Sequence, residues 1–281
     1  MSYKSLLAYL AENERSKAVS ATALTLAAAF DAHLTALHLY VPSDAAYAAY
    51  AEFPVWGGVK ALQREQARAQ EYDASLKADF EAQAAQFSPL QTEWRFSSGD
   101  VAETLALHAR YADLVLLGQY APEDKTNRSG FDTPAEVAVL SGRPVLVLPD
   151  DNPVDVDGKR VLVAWNASRE ATRAAGAALP LLKRAQSVDV VIVEGNDDDY
   201  GDEPGADIAL FLARHGVNAS VSRVPQGELR VSEVLLSVAA EHGSDLLCMG
   251  AYGHSRLREL AFGGVTYEIM RRMTVPTLIA G

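Results

Sequence analysis

One segment in the last quarter of the chain has glycine spacing suited to binding a phosphate group. Gly250 and Gly253 follow the apolar run 246–249, and after nine further residues the chain reads Gly263-Gly264-Val265-Thr266. Glycine lets the backbone turn and lets a ligand approach the main chain, because it has no Cβ. Backbone N–H groups at such turns, and at the start of a following helix, attract anions. The segment therefore predicts an anion cradle at the end of a buried strand.

Other residues near this cradle leave alternatives open. Arg256 lies in the nine-residue loop and is a candidate phosphate contact, the alternative being a solvated surface arginine. The glycines have a second explanation too, as ordinary strand-to-helix turns. His254 has no carboxylate or nucleophile placed beside it by a recognisable motif, so we predict no catalytic residue. The acidic segment 194–203 lacks the spacing of a calcium loop, and we predict no metal site.

The cradle belongs to the second copy of an internal repeat. Residues 112–118 resemble residues 244–250, and residues 143–148 resemble residues 275–280, both at an offset of 132 positions. The intervening stretch 149–158 is rich in Pro, Asp and Gly, as linkers are. The pattern predicts a tandem duplication, with one domain over residues 1–150 and the other over residues 158–281.

Each half alternates short apolar runs with longer helical stretches. In the second half the predicted strands are 161–165, 188–193, 220–224, 246–249 and 277–280, and the predicted helices are 168–182, 207–215, 231–242 and 265–273. Strands that are continuous apolar runs indicate a parallel sheet covered on both faces. We expect an α/β fold with two tandem, doubly wound domains, whose ligands bind outside the carboxyl ends of the strands.

Composition narrows the classes of function. The chain has 281 residues, of which 49% are hydrophobic, and a formal net charge of −12. Both halves are acidic, which disfavours a nucleic-acid platform and docking to anionic lipid. The longest charge-free apolar stretch, 18–30, is short for a membrane span, and no secretory signal is recognisable, so we expect a cytoplasmic protein. Cys248 lies in a predicted core strand, where we expect a buried, inert thiol.

The glycine signature resembles the ATP-binding signature of the universal stress protein family. The strand and helix start at 161–168 is similar to the opening of that family's domain, and Val275-Pro276 is similar to its ending. The resemblance covers the chain as a tandem pair, strongly in the second half and weakly in the first. It implies two Rossmann-like or flavodoxin-like domains that pack as a pseudo-dimer through their last strands. It also implies a regulatory role linked to stress.

Carried over by position, the resemblance assigns the phosphate cradle and its flanking residues. It implies that Thr266 places a hydroxyl at a phosphate oxygen, while Gly264 stands where many members have Ser or Thr and keeps only its N–H. The backbone groups of the cradle come from Gly250, Gly253, Gly263, Gly264 and Val265.

The same carry-over assigns the base and ribose. Asn166 falls where the family usually has an Asp near the adenine and ribose; Asn keeps an acceptor and adds an NH₂ donor but removes the charge. Val193, at the end of the second strand of this half, is implied as an apolar wall for the base.

The first half departs from the signature at nearly every ligand position. Gly118 remains, and Leu10 falls where Asn166 falls in the second half. The aligned sequence puts Ala121 at the second glycine, Asp132 and Thr133 at the glycine pair 263–264, and Pro134 and Ala135 at 265–266. A carboxylate at Asp132 opposes phosphate, and Pro134 removes an N–H donor. We therefore expect the first domain to have lost ATP binding.

The leading hypothesis is an adenine-nucleotide-binding sensor or regulator of the stress response, with ATP, with or without magnesium, in the second domain. The first alternative is a slow ATP hydrolase that uses the same pocket, although no base for activating water is recognisable. The second is an interaction scaffold in which both pockets are vestigial. The regulatory protein partner, the physiological signal and the dimerisation of whole chains stay open.

Overall fold

The computed structural model of the chain describes residues 2–11, 13, 15–43, 57–87, 89–120, 130, 132–149, 158–195, 205–251 and 264–281. The strands of the first half are β1 (Ser5–Tyr9), β2 (His33–Tyr40), β3 (Thr92–Ser98), β4 (Leu114–Gly118) and β5 (Val145–Leu148). Its helices are α1 (Arg15–Phe30), α2 (Gly57–Ala84), α3 (Val101–Ala109) and α4 (Thr133–Ser141).

The second half repeats this order. Its strands are β6 (Arg160–Ala164), β7 (Ser187–Glu194), β8 (Ala219–Pro225), β9 (Leu246–Gly250) and β10 (Thr277–Ala280). Its helices are α5 (Arg169–Leu182), α6 (Ala206–Arg214), α7 (Val231–Glu241) and α8 (Val265–Arg272). These bounds lie within one residue of those predicted for the second half.

The ten strands within the described residues join one sheet, in the order β3-β2-β1-β4-β5-β10-β9-β6-β7-β8. Neighbouring strands run parallel, except that β5 and β10 pair antiparallel through Val145 to Val147 and Thr277 to Ile279. Each half is thus a doubly wound parallel sheet, and the last strands of the two halves form the seam. The predicted α/β fold and the pseudo-dimer are confirmed.

Hydrogen bonds and aromatic contacts also join the halves on one side of the sheet. The Tyr3 hydroxyl donates to the carbonyl of Ala177 at 2.8 Å, and burial raises the pKa of Tyr3. Arg184 donates to the Ala29 carbonyl at 2.9 Å, and its guanidinium lies 5.0 Å from the centre of the Phe30 ring. Helices α1 and α5 therefore face each other across the seam.

The middle of the sheet is buried on both faces. Leu146 and Leu278, neighbours across the seam, belong to one core layer, and Val145 and Ile279 belong to the other. Cys248 lies in the first of these layers, and burial raises its pKa to about 12. The expectation that this thiol is buried is confirmed. None of the helices that the structure describes is both long and apolar enough to cross a membrane.

The register of the sheet corrects one position in the alignment of the two halves. Leu6 pairs with Leu114, and Val161 pairs with Leu246, the residue 132 positions after Leu114. Position 6 therefore corresponds to position 161. By the same count Leu10 corresponds to Trp165, and the counterpart of Asn166 is Ala11. The placement of Leu10 at the Asn166 position was wrong by one residue, because the short loops after β1 and β6 carry no pattern that fixes their alignment.

Helix starts correct a second correspondence. Helix α4 has its N-cap at Asp132, and helix α8 has its N-cap at Gly264, again 132 residues apart. Asp132 therefore replaces Gly264, not Gly263, and Pro134 replaces Thr266. Thr133 replaces Val265. The earlier alignment was wrong by one residue here too, because the loops after β4 and β9 share little sequence, whereas the offset of the strands and helices is constant.

Candidate functional site

The predicted base-binding residues lie at the carboxyl edge of the second half. The last residue pair between β6 and β7 is Ala164 with Val191. Asn166 and Val193 each lie two residues beyond that pair, on neighbouring segments. Asn166 is exposed, and Val193 is buried in the core layer that covers one face of the sheet. The register thus places both at the edge where ligands of doubly wound sheets bind.

The loop from β6 to α5 is held by its own polar side chains. Asn166 Oδ1 accepts hydrogen bonds from the backbone N–H and the hydroxyl of Ser168, at 3.2 and 2.7 Å. The Ser168 hydroxyl in turn accepts the N–H of Ala171 at 3.1 Å and caps α5, the helix predicted to begin at residue 168. Between them, Ala167 has a left-handed backbone with φ of 55°. The Asn166 oxygen is therefore engaged, and its NH₂ is the group that the described contacts leave for a ligand.

Gly250 brings the end of β9 against the first turn of α5. A Cβ built on Gly250 would lie 2.6 Å from the backbone N of Ala171 and 2.7 Å from the carbonyl carbon of Glu170. Real Cβ atoms do not approach backbone this closely, so glycine is required here by packing. This contact supplies a structural reason for the first glycine of the signature and holds the start of α5 at the junction of β6 and β9.

Glu170 lies beside this junction, and sequence reasoning did not single it out as a site residue. Its side chain is buried, at 4% exposure for the residue, and accepts a hydrogen bond from Arg169. Burial works against its ionisation, but that hydrogen bond, its own backbone N–H and the charges of Arg169 and Arg173 outweigh burial and hold the pKa of Glu170 below its usual range. A carboxylate stabilised by the charges of Arg169 and Arg173 thus lies beside Gly250.

Helix α8 begins with the last three residues of the signature. Gly264 is its N-cap and has no side chain with which to cap the helix; Val265 is half-buried, and Thr266 is 3% exposed. The N-terminus of a helix carries partial positive charge and attracts anions. The structure therefore places Gly264, Val265 and Thr266 at a helix start. The predicted residues Gly253, Arg256 and Gly263 lie outside the described residues.

Ion pairs hold α8 against α7. The buried carboxylate of Glu268 lies 3.3 Å from Arg230 Nη1 and 3.3 Å from Arg272 Nε, and Arg272 Nη1 lies 3.2 Å from Glu233 Oε1. The pKa of the Glu233 carboxyl is held below its usual range, chiefly by a hydrogen bond from the Arg230 backbone and further by Arg272. In the first half the counterpart of Glu268 is Glu136, which is exposed. The network fixes α8 in the second half.

The first half has a cleft at the matching edge, and sequence reasoning did not predict it. Its empty volume is about 410 Å³, open solvent included. It is lined by Tyr9, Ala11, Asn13, Arg15, Ser16, Val19, Leu117, Gly118, Gln119, Tyr120, Gly130, Thr133 and Pro134. A Cβ on Gly118 would meet Val19 Cγ2 at 3.4 Å, an ordinary contact. Helix α1 thus stands further from its strand end than α5 does.

Polar side chains in the described residues form no group of three or more that could hold a metal ion. Residues 196–203 of the acidic segment, and most of the loop between β9 and α8, lie outside the described residues. The chemistry that the described edge offers is hydrogen bonding and helix-terminal electrostatics.

Comparison with known proteins gives the family. The universal stress protein family model matches residues 2–131 and 158–281. Universal stress protein Slr1230 of Synechocystis sp. (strain ATCC 27184 / PCC 6803 / Kazusa) is 39% identical over 46 residues, which span 16% of this chain and 16% of that relative. The match thus covers about a sixth of the curated relative's length.

Solved structures show the same fold over nearly the whole chain. A universal stress protein from Archaeoglobus fulgidus DSM 4304 superposes with a TM-score of 0.73 at 17% identity, covering 98% of this chain and 95% of its own. A functionally unknown protein from Pseudomonas aeruginosa PAO1 gives 0.64 at 12% identity, covering 99% and 92%. At these identities the likeness shows the fold. Because the family model matches both halves, the chain belongs to the universal stress protein family as a tandem two-domain member.

Proposed function

We propose that the protein binds ATP, or a related adenine nucleotide, in its second half and acts as a cytoplasmic sensor or regulator of the stress response. Family membership and the retained glycine signature support this function. So does the position of the described signature residues at the carboxyl edge of the sheet, where α5 and α8 begin. The proposal treats residues 158–281 as the nucleotide-binding domain and residues 1–150 as a domain without ATP.

The observation that carries the proposal is the difference between two matched helix starts. Gly264 caps α8, and Asp132 caps α4 at the corresponding position. A glycine N-cap leaves the positive end of the helix open to an anionic ligand, whereas an aspartate brings its own negative charge to that end. Pro134 also removes, in α4, the N–H and the hydroxyl that Thr266 has in α8. The two starts are therefore suited to different ligands.

Each predicted residue has a role in this proposal. Gly250, Gly253, Gly263, Gly264 and Val265 provide the backbone cradle for the phosphates. Thr266 and Arg256 provide a hydroxyl and a guanidinium for phosphate oxygens. Asn166 offers its NH₂ to the base or ribose, and Val193 forms an apolar wall. Any magnesium would arrive with the nucleotide, through the phosphates.

The test is the affinity of purified protein for ATP, measured by isothermal titration calorimetry in wild type and in Gly264→Asp. This change copies the first half, and an aspartate N-cap supports the helix, so the variant should fold. Gly264 has φ of −60°, which any residue can adopt. We expect binding in the wild type and at least about a tenfold loss in the variant, because the added charge faces the phosphates.

Gly264→Asn is the matched control, since it has nearly the same shape without the charge and is an equally good N-cap. It should retain more affinity than Gly264→Asp. Equal affinity in wild type and in both variants would remove the α8 start from the site. Absence of ATP binding in the wild type would overturn the proposed function.

A further inference from the structure

Gln119, in the first half, forms hydrogen bonds through its backbone N–H, its backbone carbonyl and its side-chain NH₂ group. It directly follows β4, and its backbone N–H donates to the carbonyl of Leu148 at 2.7 Å. Its own carbonyl accepts a hydrogen bond from Arg15 Nη1 at 3.1 Å. Its side-chain Nε2 crosses the seam and donates to the backbone carbonyl of Met270 in α8 at 2.9 Å, with both groups buried. The residue is a rigid link between the two halves.

The carbonyl that Gln119 reaches is one that α8 itself does not bond. Met270 lies in the last turn of the helix, which ends at Arg272. In an α-helix the carbonyl of Met270 would accept the N–H four residues later, and Thr274 lies beyond the helix end. The last four carbonyls of a helix need partners from outside it. Gln119 supplies one such partner from the other half of the molecule.

The first half meets the same need locally. Ala138, the counterpart of Met270, has its carbonyl bonded at 3.0 Å by the N–H of Gly142, whose φ of 69° forms a left-handed cap. The counterpart of Gly142 in the second half is Thr274, and the counterpart of Gln119 is Ala251, which has no polar side chain. Support across the seam therefore runs from the first half to α8, with no matching bond from Ala251 to α4.

We propose that Gln119 is a positioning residue for the nucleotide cradle, so that the first half holds in place the helix on which the second half binds phosphate. The inference rests on the proposed function. Helix α8 has 8 residues, Val265–Arg272, or about 12 Å of length. Gly264 and Thr266 lie at one end of it, and Met270 lies near the other. A helix of two turns moves as a unit, so loosening its C-terminal end also shifts its N-terminal groups.

The test compares wild type with Gln119→Met and Gln119→Ala. The methionine keeps the length of the side chain and removes the donor, and the alanine copies position 251. ATP affinity is measured by calorimetry, and amide hydrogen exchange of residues 265–280 is measured without nucleotide. We expect about fivefold weaker ATP binding in both variants, the effect of losing one buried hydrogen bond, and faster exchange in α8.

Tyr3→Phe is the matched control. It removes another hydrogen bond across the seam, the one to Ala177 in α5, without touching α8. It should leave ATP affinity and α8 exchange unchanged, even where it lowers overall stability as much as Gln119→Met does. This separates a positioning role from a general loss of stability.

The outcomes are distinct. Unchanged ATP affinity in both Gln119 variants would overturn the inference and leave the proposed function standing, as would an equal loss of affinity in Tyr3→Phe. A wild type that binds no ATP would overturn the proposed function. In that case the hydrogen exchange of α8 in the Gln119 variants still tests whether Gln119 holds this helix. Unchanged exchange would overturn that role, and faster exchange would support it.

Discussion

The two halves share their scaffold and differ at the carboxyl edge of the sheet. At the amino ends of the strands the likeness is close, since Asp113 and Asp245 each accept two backbone hydrogen bonds at the start of their half. At the carboxyl ends, Gly250 is pressed against α5, whereas Gly118 borders a cleft. The helix caps differ as well, glycine in α8 and aspartate in α4. The duplication has kept the groups that build the sheet and changed those at its carboxyl edge.

Replacing Gly250 and Gly118 by alanine should give the largest difference in stability between the two halves. Gly250→Ala places a methyl group 2.6 Å from a backbone nitrogen, and we expect a loss of about 3 kcal/mol in the free energy of unfolding. Gly118→Ala meets ordinary contacts and should change it by less than about 1 kcal/mol. Urea denaturation followed by circular dichroism measures both. Equal costs would mean that the two strand ends are packed alike.

Matched substitutions in the scaffold that the two halves share should lower stability equally. Asp113→Ala and Asp245→Ala each remove an acceptor from two backbone N–H groups, at 2.7 and 3.0 Å in the first half and 3.1 and 2.9 Å in the second. We expect each change to lower the midpoint of urea denaturation by an amount that corresponds to about 2 kcal/mol. A cost confined to one half would show that the halves differ in their framework too.

Low pH should weaken the first turn of α5 but not the corresponding turn of α1. The pKa of Glu170 is lowered in the folded protein, so its contribution is present above the ordinary carboxyl pKa and is lost as pH falls through the folded value. Glu170→Gln should cost about 1 kcal/mol at pH 7 and reduce the loss of stability below about pH 4. The counterpart in the first half is Arg15, which has no carboxyl group. Thermal unfolding from pH 7 to pH 3 reads the difference, and identical pH profiles for wild type and Glu170→Gln would contradict it.

The smallest expected effect concerns the loop after β6. Ala167 adopts φ of 55°, which glycine adopts without strain. Ala167→Gly relieves that strain but adds freedom to the unfolded chain. We expect a net gain of about 0.5 kcal/mol in the free energy of unfolding, measured by thermal denaturation. A loss in its place would show that the left-handed turn between Asn166 and Ser168 is not strained.

Much of the fold could be predicted from the residues because the strands of the second half are continuous apolar runs with clear boundaries. The predicted start of α5 lay at Ser168, the repeat at an offset of 132 indicated two copies of one domain, and the family resemblance implied the seam between β5 and β10. Alignment failed by one residue at Leu10 and at Asp132, where short loops have no periodicity. Helix caps and strand register, which are three-dimensional, resolved both positions.

The site itself was harder to predict than the fold. Gly250 matched a signature, but its contact with α5 depends on how closely a helix approaches a strand end. Gln119 gave no signal, because a side chain that caps a helix of the other half has no motif in its own segment. Asn13, Arg15 and Gly118 together were the available sign of the first-half cleft, since they mark a helix start beside a retained glycine.

The central claim is that one half binds nucleotide and the other does not. The most direct measurement is the number of ATP molecules bound per chain at saturation, by equilibrium dialysis with labelled ATP and by native mass spectrometry. The account predicts one per chain, lost in Gly264→Asp. Two per chain would contradict it, because the first-half edge would then bind ATP in spite of Asp132 and Pro134; none would contradict it as well.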